Sequence, residues 1–159
     1  MNIYIHAVGK LGEEYLRNAA AEYIKRCSRW GKLAVVEIPE SRLPKSAGAS
    51  DIAKAVFDEG EAMLAKLPRK AYVIGLFIEG EELASDELAS LFSNVMNSGK
   101  NDIVFLIGGS HGMSQKVKES CNLTLSFSKM TFPHQLARVM LCEQIYRALT
   151  IISGQEYHK

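Results

Sequence analysis

The chain has 159 residues and a mass of 17.6 kDa, and 47% of its residues are hydrophobic and 23% charged. These values suit one globular domain over residues 1–159, and they exclude a disordered chain, a collagen-like repeat and a small disulfide scaffold. The formal net charge of +1 argues against a protein that holds nucleic acid by bulk electrostatics alone, although it is compatible with a local basic patch.

Strand-like and helix-like apolar patterns alternate along the chain. Predicted strands are short apolar runs, and predicted helices carry apolar residues every three or four positions. The strands cover Asn2–Val8, Leu33–Ile38, Ala71–Ile78, Asp102–Ile107 and Leu123–Phe127. The helices cover Leu11–Cys27, Ser50–Leu67, Ser85–Met96, Ser114–Cys121 and Pro133–Ile152, with Ser50 and Ser85 as N-caps. This alternation predicts an α/β fold with a mainly parallel sheet flanked by helices.

The cysteines and the N-terminus bear on location. Cys27, Cys121 and Cys142 are odd in number and lack the spacing of metal ligands, which favours reduced thiols in a reducing compartment. The first ten residues lack the basic and apolar regions of a secretion signal. We therefore expect a soluble cytoplasmic protein without a membrane anchor.

A glycine-rich loop follows the fourth predicted strand. Gly108, Gly109 and Gly112 enclose Ser110 and His111, at the place where a phosphate or nucleotide loop of an α/β protein lies. The spacing matches neither GxGxxG nor the P-loop. A tight turn that needs positive φ explains these glycines, and the alternative is a ligand that contacts exposed backbone N–H groups.

The last predicted helix is the longest and has a wide apolar arc. Arg138 projects into this arc between Ile145 and Leu149, where an unpaired charge is costly. It therefore needs a carboxylate, a phosphate or a ligand, unless it extends from the edge of an interface into solvent. Glu143 and Arg147 predict an exposed ion pair. The width of the arc predicts a homodimer that packs through this helix.

The chain ends in Tyr157, His158 and Lys159. Chain ends usually fray, and composition alone therefore favours a solvated tail. A ring, a group that titrates near neutral pH and a cation would also suit the capture of a flipped RNA base.

The C-terminal part of the chain contains the string LSFSKMTFPHQLARVMLCEQIYRA, together with IGGSHG upstream and the final EYHK. These motifs resemble those of one group of SPOUT-class methyltransferases. These enzymes modify pseudouridine in large-subunit ribosomal RNA, and the likeness is to their small single-domain type, the RlmH type. It covers the whole chain. The resemblance implies S-adenosylmethionine-dependent methylation of N3 of a pseudouridine in the helix 69 loop of 23S rRNA, in a homodimer acting on assembled ribosomes.

The resemblance also implies a fold and a set of site residues. The fold is an α/β sheet with a C-terminal trefoil knot, which general topology rules would have rejected. The implied cofactor residues are Leu76, Gly108, Phe127, Ser128, Lys129, Met130, Thr131 and Phe132. Arg138 would orient the nucleobase or a phosphate, His158 would remove the N3 proton, and Tyr157, His158 and Lys159 would close over the RNA. No metal is implied, His111 receives no role, and His134 either packs locally or takes part in catalysis.

Two other functions compete with this one. A nucleotide-binding oxidoreductase of Rossmann type would use the glycine loop, but GxGxxG is absent after the first strand. A noncatalytic RNA- or ribosome-binding module would use the same C-terminal residues without forming a modified base.

Overall fold

The computed structural model describes residues 1–157, so that His158 and Lys159 lie outside the described part of the chain. Its strands are β1 (Asn2–Val8), β2 (Lys32–Ile38), β3 (Tyr72–Glu82), β4 (Asp102–Ile107) and β5 (Leu123–Ser126). Its helices are α1 (Glu14–Cys27), α2 (Ala49–Ala65), α3 (Ser85–Asn97), α4 (Gln115–Ser120) and α5 (His134–Ile152). The predicted alternation of strands and helices is confirmed.

Within residues 1–157 the strands form one sheet in the order β2-β1-β4-β3-β5. All four neighbouring pairs are parallel, which confirms the predicted sheet type. Because the strands run in the same direction, their carboxyl ends and the loops that follow them meet at one edge of the sheet. This edge is where open parallel sheets usually bind ligands.

Helices cover both faces of the sheet. Helices α1, α3 and α5 pack on one face, over a core that includes Ile5 and Phe105, and α5 contacts both α1 and α3. Helices α2 and α4 pack on the other face, where Val104 and Leu106 are buried. Two covered faces explain why the β4 strand reads as a continuous apolar run.

The predicted helix starts differ from the observed ones. Gly48 caps α2 and Ala84 caps α3, rather than Ser50 and Ser85. In both helices a carboxylate three residues after the cap accepts its N–H, as Glu87 does from Ala84 at 2.7 Å. Because Gly48 and Ala84 have no side-chain acceptor, only the acidic half of a capping box is present at these two helix starts. Pro133 is the N-cap of α5, outside the first turn where it was predicted.

Strand β3 runs four residues beyond its predicted end at Ile78, and it bulges on the way. Leu125 of β5 pairs first with Leu76 and then with Glu81, which pushes residues 77–80 out of the ladder. A Cβ on Gly80 would lie 2.6 Å from the carbonyl carbon of Leu125, so only glycine permits this approach. The bulge carries Phe77, Ile78 and Glu79 to the carboxyl edge.

Among residues 1–157, no helix is both long and apolar enough to cross a bilayer.

Candidate functional site

A cleft of about 730 Å³ lies at the carboxyl ends of β3, β4 and β5. Its walls come from the β3 bulge, the glycine loop after β4, the loop between β5 and α5, and the first turn of α5. The volume is within the usual range for small-molecule sites. Because the loop before α5 and the first turn of α5 are continuous, three separate chain segments form this concave surface.

The glycine loop forms a tight turn and lines the cleft at the same time. Gly112 has φ +79°, and its N–H donates to the Gly109 carbonyl at 3.1 Å. A Cβ on Gly108 would lie 2.7 Å from the Gly112 backbone, which leaves no room for a side chain. The turn explanation is confirmed, and the same turn presents its backbone to the cleft.

Hydrogen bonds hold the loop between β5 and α5 and the strand end before it in place. The buried Ser126 hydroxyl donates to the Ile78 carbonyl at 2.9 Å and so joins this loop to the β3 bulge. The Met130 N–H donates to Ser128 Oγ at 3.1 Å. These bonds hold two walls of the cleft in a defined relation.

Most residues that the resemblance assigned to a cofactor meet in this cleft. Seven of the eight line it: Leu76, Gly108, Phe127, Ser128, Met130, Thr131 and Phe132. Lys129 belongs to the same loop, but its side chain is exposed and does not line the cleft. His134, for which two roles were open, lies at the α5 end of the cleft.

Sequence reasoning missed an ion pair at the rim. Lys118 Nζ lies 2.7 Å from Glu79 Oε1, and it also lies 5.4 Å from the centre of the Phe77 ring. The hydrogen bond from Lys118 lowers the pKa of Glu79. The apolar run up to Ile78 was the signal that β3 reaches this edge, but nothing in the sequence indicated the bulge.

Arg138 is fully buried, with 0% of its surface exposed, and it does not line the cleft. Its Nη2 donates to the carbonyls of Val8 at 3.3 Å and Gly9 at 3.1 Å, while Nη1 lies 3.5 Å from Glu37 Oε1. Burial lowers the pKa of the guanidinium. The predicted carboxylate partner is thus present, and the alternative of a side chain reaching solvent is wrong.

Arg138 connects to the cleft through the end of β1. The carbonyls that it holds belong to Val8 and Gly9, where β1 ends. A Cβ on Gly109 would lie 3.1 Å from Val8 Cγ1, so the end of β1 packs directly against the glycine loop. Arg138 therefore fixes a strand end that supports one wall of the cleft.

The C-terminal residues that the structure describes fold back onto α5. Glu143 and Arg147 form an ion pair at 2.6 Å with side chains only 19% and 23% exposed, so the prediction of an exposed pair is wrong. Tyr157 donates to Glu143 Oε1 at 3.3 Å, and its ring centre lies 4.7 Å from that of Tyr146. Burial raises the pKa of Tyr157 to about 12. For Tyr157, the prediction of a solvated tail is wrong.

The apolar arc of α5 is largely covered within one subunit. Its core residues Leu141, Ile145 and Ala148 are buried in the cluster that α5 shares with α1 and α3. Leu136, near the start of α5, keeps 40% of its surface exposed. The width of the arc is thus accounted for by intramolecular packing.

The chain is similar in sequence to known proteins over its whole length. The family model described as "Predicted SPOUT methyltransferase" matches residues 1–158. A relative from Methanococcus vannielii, named "Putative ribosomal RNA large subunit methyltransferase H", is 50% identical over 159 residues, the whole of both chains. A relative from Carboxydothermus hydrogenoformans, named "Ribosomal RNA large subunit methyltransferase H", is 45% identical over the whole of both chains.

A solved structure is similar in fold. It is that of a probable methylase family protein from Haemophilus influenzae, with a TM-score of 0.57 and 18% identity, and the match covers 99% of this chain and 70% of that one.

Proposed function

The chain belongs to the SPOUT methyltransferase family, and from this premise we propose that it methylates N3 of a pseudouridine in the helix 69 loop of 23S rRNA, with S-adenosylmethionine as methyl donor. The observation that carries the proposal is the convergence of seven family-implied cofactor residues on one cleft. That cleft lies at the carboxyl edge of a parallel sheet, where such folds bind their ligands. A ribosomal substrate places the reaction in the cytoplasm.

The residues of the cleft fit a nucleoside-containing cofactor. Leu76, Phe127 and Phe132 offer apolar surface to an adenine ring, and the glycine loop offers backbone polar groups without side chains in the way. S-adenosylmethionine, when bound, supplies a methyl group on a positively charged sulfur. The family's trefoil knot, formed by the C-terminal third, would bring the glycine loop and the loop before α5 together around it.

In the proposed reaction the acceptor N3 gains a carbon and loses its proton. With the donor bound, the new N3–C bond would form as the S–C bond breaks, and the electron pair of the S–C bond would stay on sulfur. The protein must align the two reactants and receive the N3 proton. We assign proton removal to His158, which lies outside the described residues. Arg138 acts as a positioning residue, because its contacts are with Val8 and Gly9.

The tail that closes over the RNA comes from the partner subunit of a homodimer. Ala137 lines the cleft near the start of α5, whereas Tyr157 packs on Tyr146 nine residues further along that helix, a rise of roughly 14 Å. Tyr157 of a chain is thus displaced from the cleft of that same chain. Tyr15 of α1, Met130 of the loop before α5 and Leu136 of α5 are exposed and offer apolar surface for the subunit contact.

A basic and aromatic surface beside the tail suits an RNA partner. Arg26 lies over the rings of Tyr23 and Tyr146 at 5.7 and 5.8 Å, and Arg29 lies over Trp30 at 5.2 Å. These pairs place cations beside aromatic rings, and both side-chain types commonly contact RNA. Because the whole chain carries a charge of only +1, we expect recognition of a shaped site on assembled ribosomes rather than tight binding of free RNA.

The direct test is methyl transfer to ribosomal particles from cells that lack this protein, followed by mass spectrometry of their 23S rRNA. We expect one added methyl group on pseudouridine, and calorimetry should show binding of S-adenosylmethionine. No transfer at saturating cofactor would refute the proposal. Binding of NADH instead would favour the oxidoreductase, and RNA binding without a modified base would favour the noncatalytic module.

Mixed dimers test the origin of the tail. One chain would lack residues 157–159, and the other would carry Gly108→Ala, which damages the cleft. If the tail acts in the partner's site, mixing two inactive proteins restores transfer, because one intact cleft meets one intact tail. Mixtures that stay inactive despite forming dimers would contradict this arrangement.

A further inference from the structure

A second cavity, of about 590 Å³, opens beside the glycine loop at the same edge of the sheet. Its walls are the loop that follows β2, one side of α2, and the glycine loop itself. Ser110 and His111 line both this cavity and the cofactor cleft. The two sites therefore share a rim, and none of the residues implied by the family resemblance lies in the second one.

A buried carboxylate marks this second cavity. Glu59 is 8% exposed, and its Oε1 accepts the Ser41 N–H at 2.8 Å. Its Oε2 lies 3.6 Å from the position that a Cβ on Gly109 would occupy, which places this oxygen against the glycine loop. A carboxylate accepts hydrogen bonds, so an uncharged ligand would bind Glu59 through an N–H or O–H group.

The position of Glu59 is set by close helix packing. A Cβ on the adjacent Gly60 would lie 2.9 Å from both Ser114 Oγ and Val117 Cγ2, so the glycine lets α2 approach the start of α4. Val56 lies one helical turn before Gly60 and lines the same cavity. Leu43 and Val56 supply apolar surface, and the exposed Arg42 supplies a cation at the opening.

We propose that this cavity receives the acceptor base and that Glu59 distinguishes pseudouridine from uridine. Pseudouridine carries an N1–H that uridine lacks, because uridine uses N1 for its bond to the ribose. In this arrangement Glu59 accepts that N1–H, Leu43 and Val56 pack on the ring, and Arg42 contacts a backbone phosphate. The N3 atom points across the shared rim towards the methyl donor. This inference rests on the proposed function.

The main test compares two substrates. Wild-type protein and Glu59→Gln would be assayed for methyl transfer to ribosomal particles that carry either pseudouridine or uridine at the acceptor position. We expect kcat/KM for pseudouridine particles, divided by kcat/KM for uridine particles, to fall by about 10- to 100-fold in the variant. This factor corresponds to a hydrogen bond to a charged group. The affinity for S-adenosylmethionine should stay unchanged. A purely structural role for Glu59 would lower both kcat/KM values without changing their ratio.

A second variant tests the cavity without changing its charge. Val56→Trp fills the space beside the ring, and we expect it to raise KM for pseudouridine particles at least tenfold. The matched control is Ala53→Trp, which adds the same side chain at an exposed position of α2 that does not line the cavity. Melting temperatures of both variants would establish that they fold.

The outcomes separate this inference from the proposed function. Two results would show that the assignment of Glu59 is wrong, provided that the wild-type protein transfers methyl groups. One is a wild-type protein with equal kcat/KM for pseudouridine and uridine particles. The other is a Glu59→Gln variant whose ratio of these two kcat/KM values equals that of wild type. If Val56→Trp behaves as Ala53→Trp does, the cavity does not hold the base. If wild type transfers nothing, the proposed function fails, and co-sedimentation of the variants with particles then decides whether the cavity binds RNA.

Discussion

Replacing Arg138 by Met removes a buried guanidinium while it keeps much of the side-chain volume. The Arg138 Nη2 donates to the carbonyls of Val8 and Gly9, and Nη1 faces Glu37 at 3.5 Å. Within residues 1–157 the Nε atom has no hydrogen-bond partner. The substitution therefore removes two useful hydrogen bonds together with one unsatisfied donor.

The expected loss of stability follows from these contacts. The carbonyls of buried Val8 and half-buried Gly9 would each lose a partner, at a cost of up to roughly 1–3 kcal/mol each, and removal of the unsatisfied Nε recovers about the cost of one such group. Glu37 is exposed and stays solvated. The net destabilisation is then roughly 1–3 kcal/mol, which for a chain of this size lowers Tm by about 2–12 °C. A domain of ordinary stability still folds at 25 °C.

The effect on methyl transfer should be larger than the effect on cofactor binding. Arg138 does not line the cleft and acts on it only through the end of β1, and we therefore expect the Kd for S-adenosylmethionine to change much less than kcat/KM. The end of β1 that it holds packs against the glycine loop at Gly109, and a displacement of about 1 Å there can cost about 100-fold in rate. We accordingly expect kcat/KM for ribosomal particles to fall about 100-fold.

Three measurements check this reasoning: thermal unfolding, calorimetry with S-adenosylmethionine, and methyl transfer. Arg69→Met is the control, because Arg69 is exposed in the connection that leads into β3, at the opposite edge of the sheet from the cleft. Arg138→Lys keeps the charge and should recover part of the rate. Unchanged turnover in Arg138→Met would remove Arg138 from the site, and an unchanged Tm would refute the stability estimate.

Three further predictions concern the glycine loop, the tail and the thiols. Gly108→Ala should weaken S-adenosylmethionine binding at least tenfold in calorimetry, because its Cβ would lie 2.7 Å from the Gly112 backbone. The control Gly48→Ala should bind the cofactor normally, because its Cβ would lie 3.9 Å from the nearest atom. Deletion of residues 157–159 should reduce kcat/KM for ribosomal particles far more than cofactor affinity; equal losses would mean that the tail supports the cleft. Burial raises the pKa of Cys27 and Cys142 to about 12 from an ordinary 9.0. Between these pH values the native state retains thiol protons that the unfolded state loses. The free energy of unfolding should therefore fall as pH rises from 9 towards 12. Cys27→Ala should reduce that slope in denaturant titrations by about 1.4 kcal/mol per pH unit, and an unaltered slope would contradict the assignment.

The regular elements were predictable because local patterns encode them. The predicted bounds of β1 and β4 match the structure, since each strand is an apolar run that ends at a glycine. Helix starts were less predictable, because a carboxylate three residues later can bind the N–H of an N-cap residue that has no polar side chain. The bulge of β3 was not predictable, because it depends on where Leu125 pairs, and that choice is made by a strand more than 40 residues away.

The site divides in the same way. The sequence determined the glycine loop and, through the resemblance, the residues before α5, because these groups are contiguous in the chain. Only the tertiary structure decided that Glu79 and Lys118 form the rim, that Arg138 holds the end of β1, and that Tyr157 lies against α5. The first two contacts join residues distant in sequence, and their partners are fixed by the order of strands and the packing of helices. The third depends on how the chain turns back after α5. Periodicity shows which face of a helix is buried, but it does not show what that face will meet.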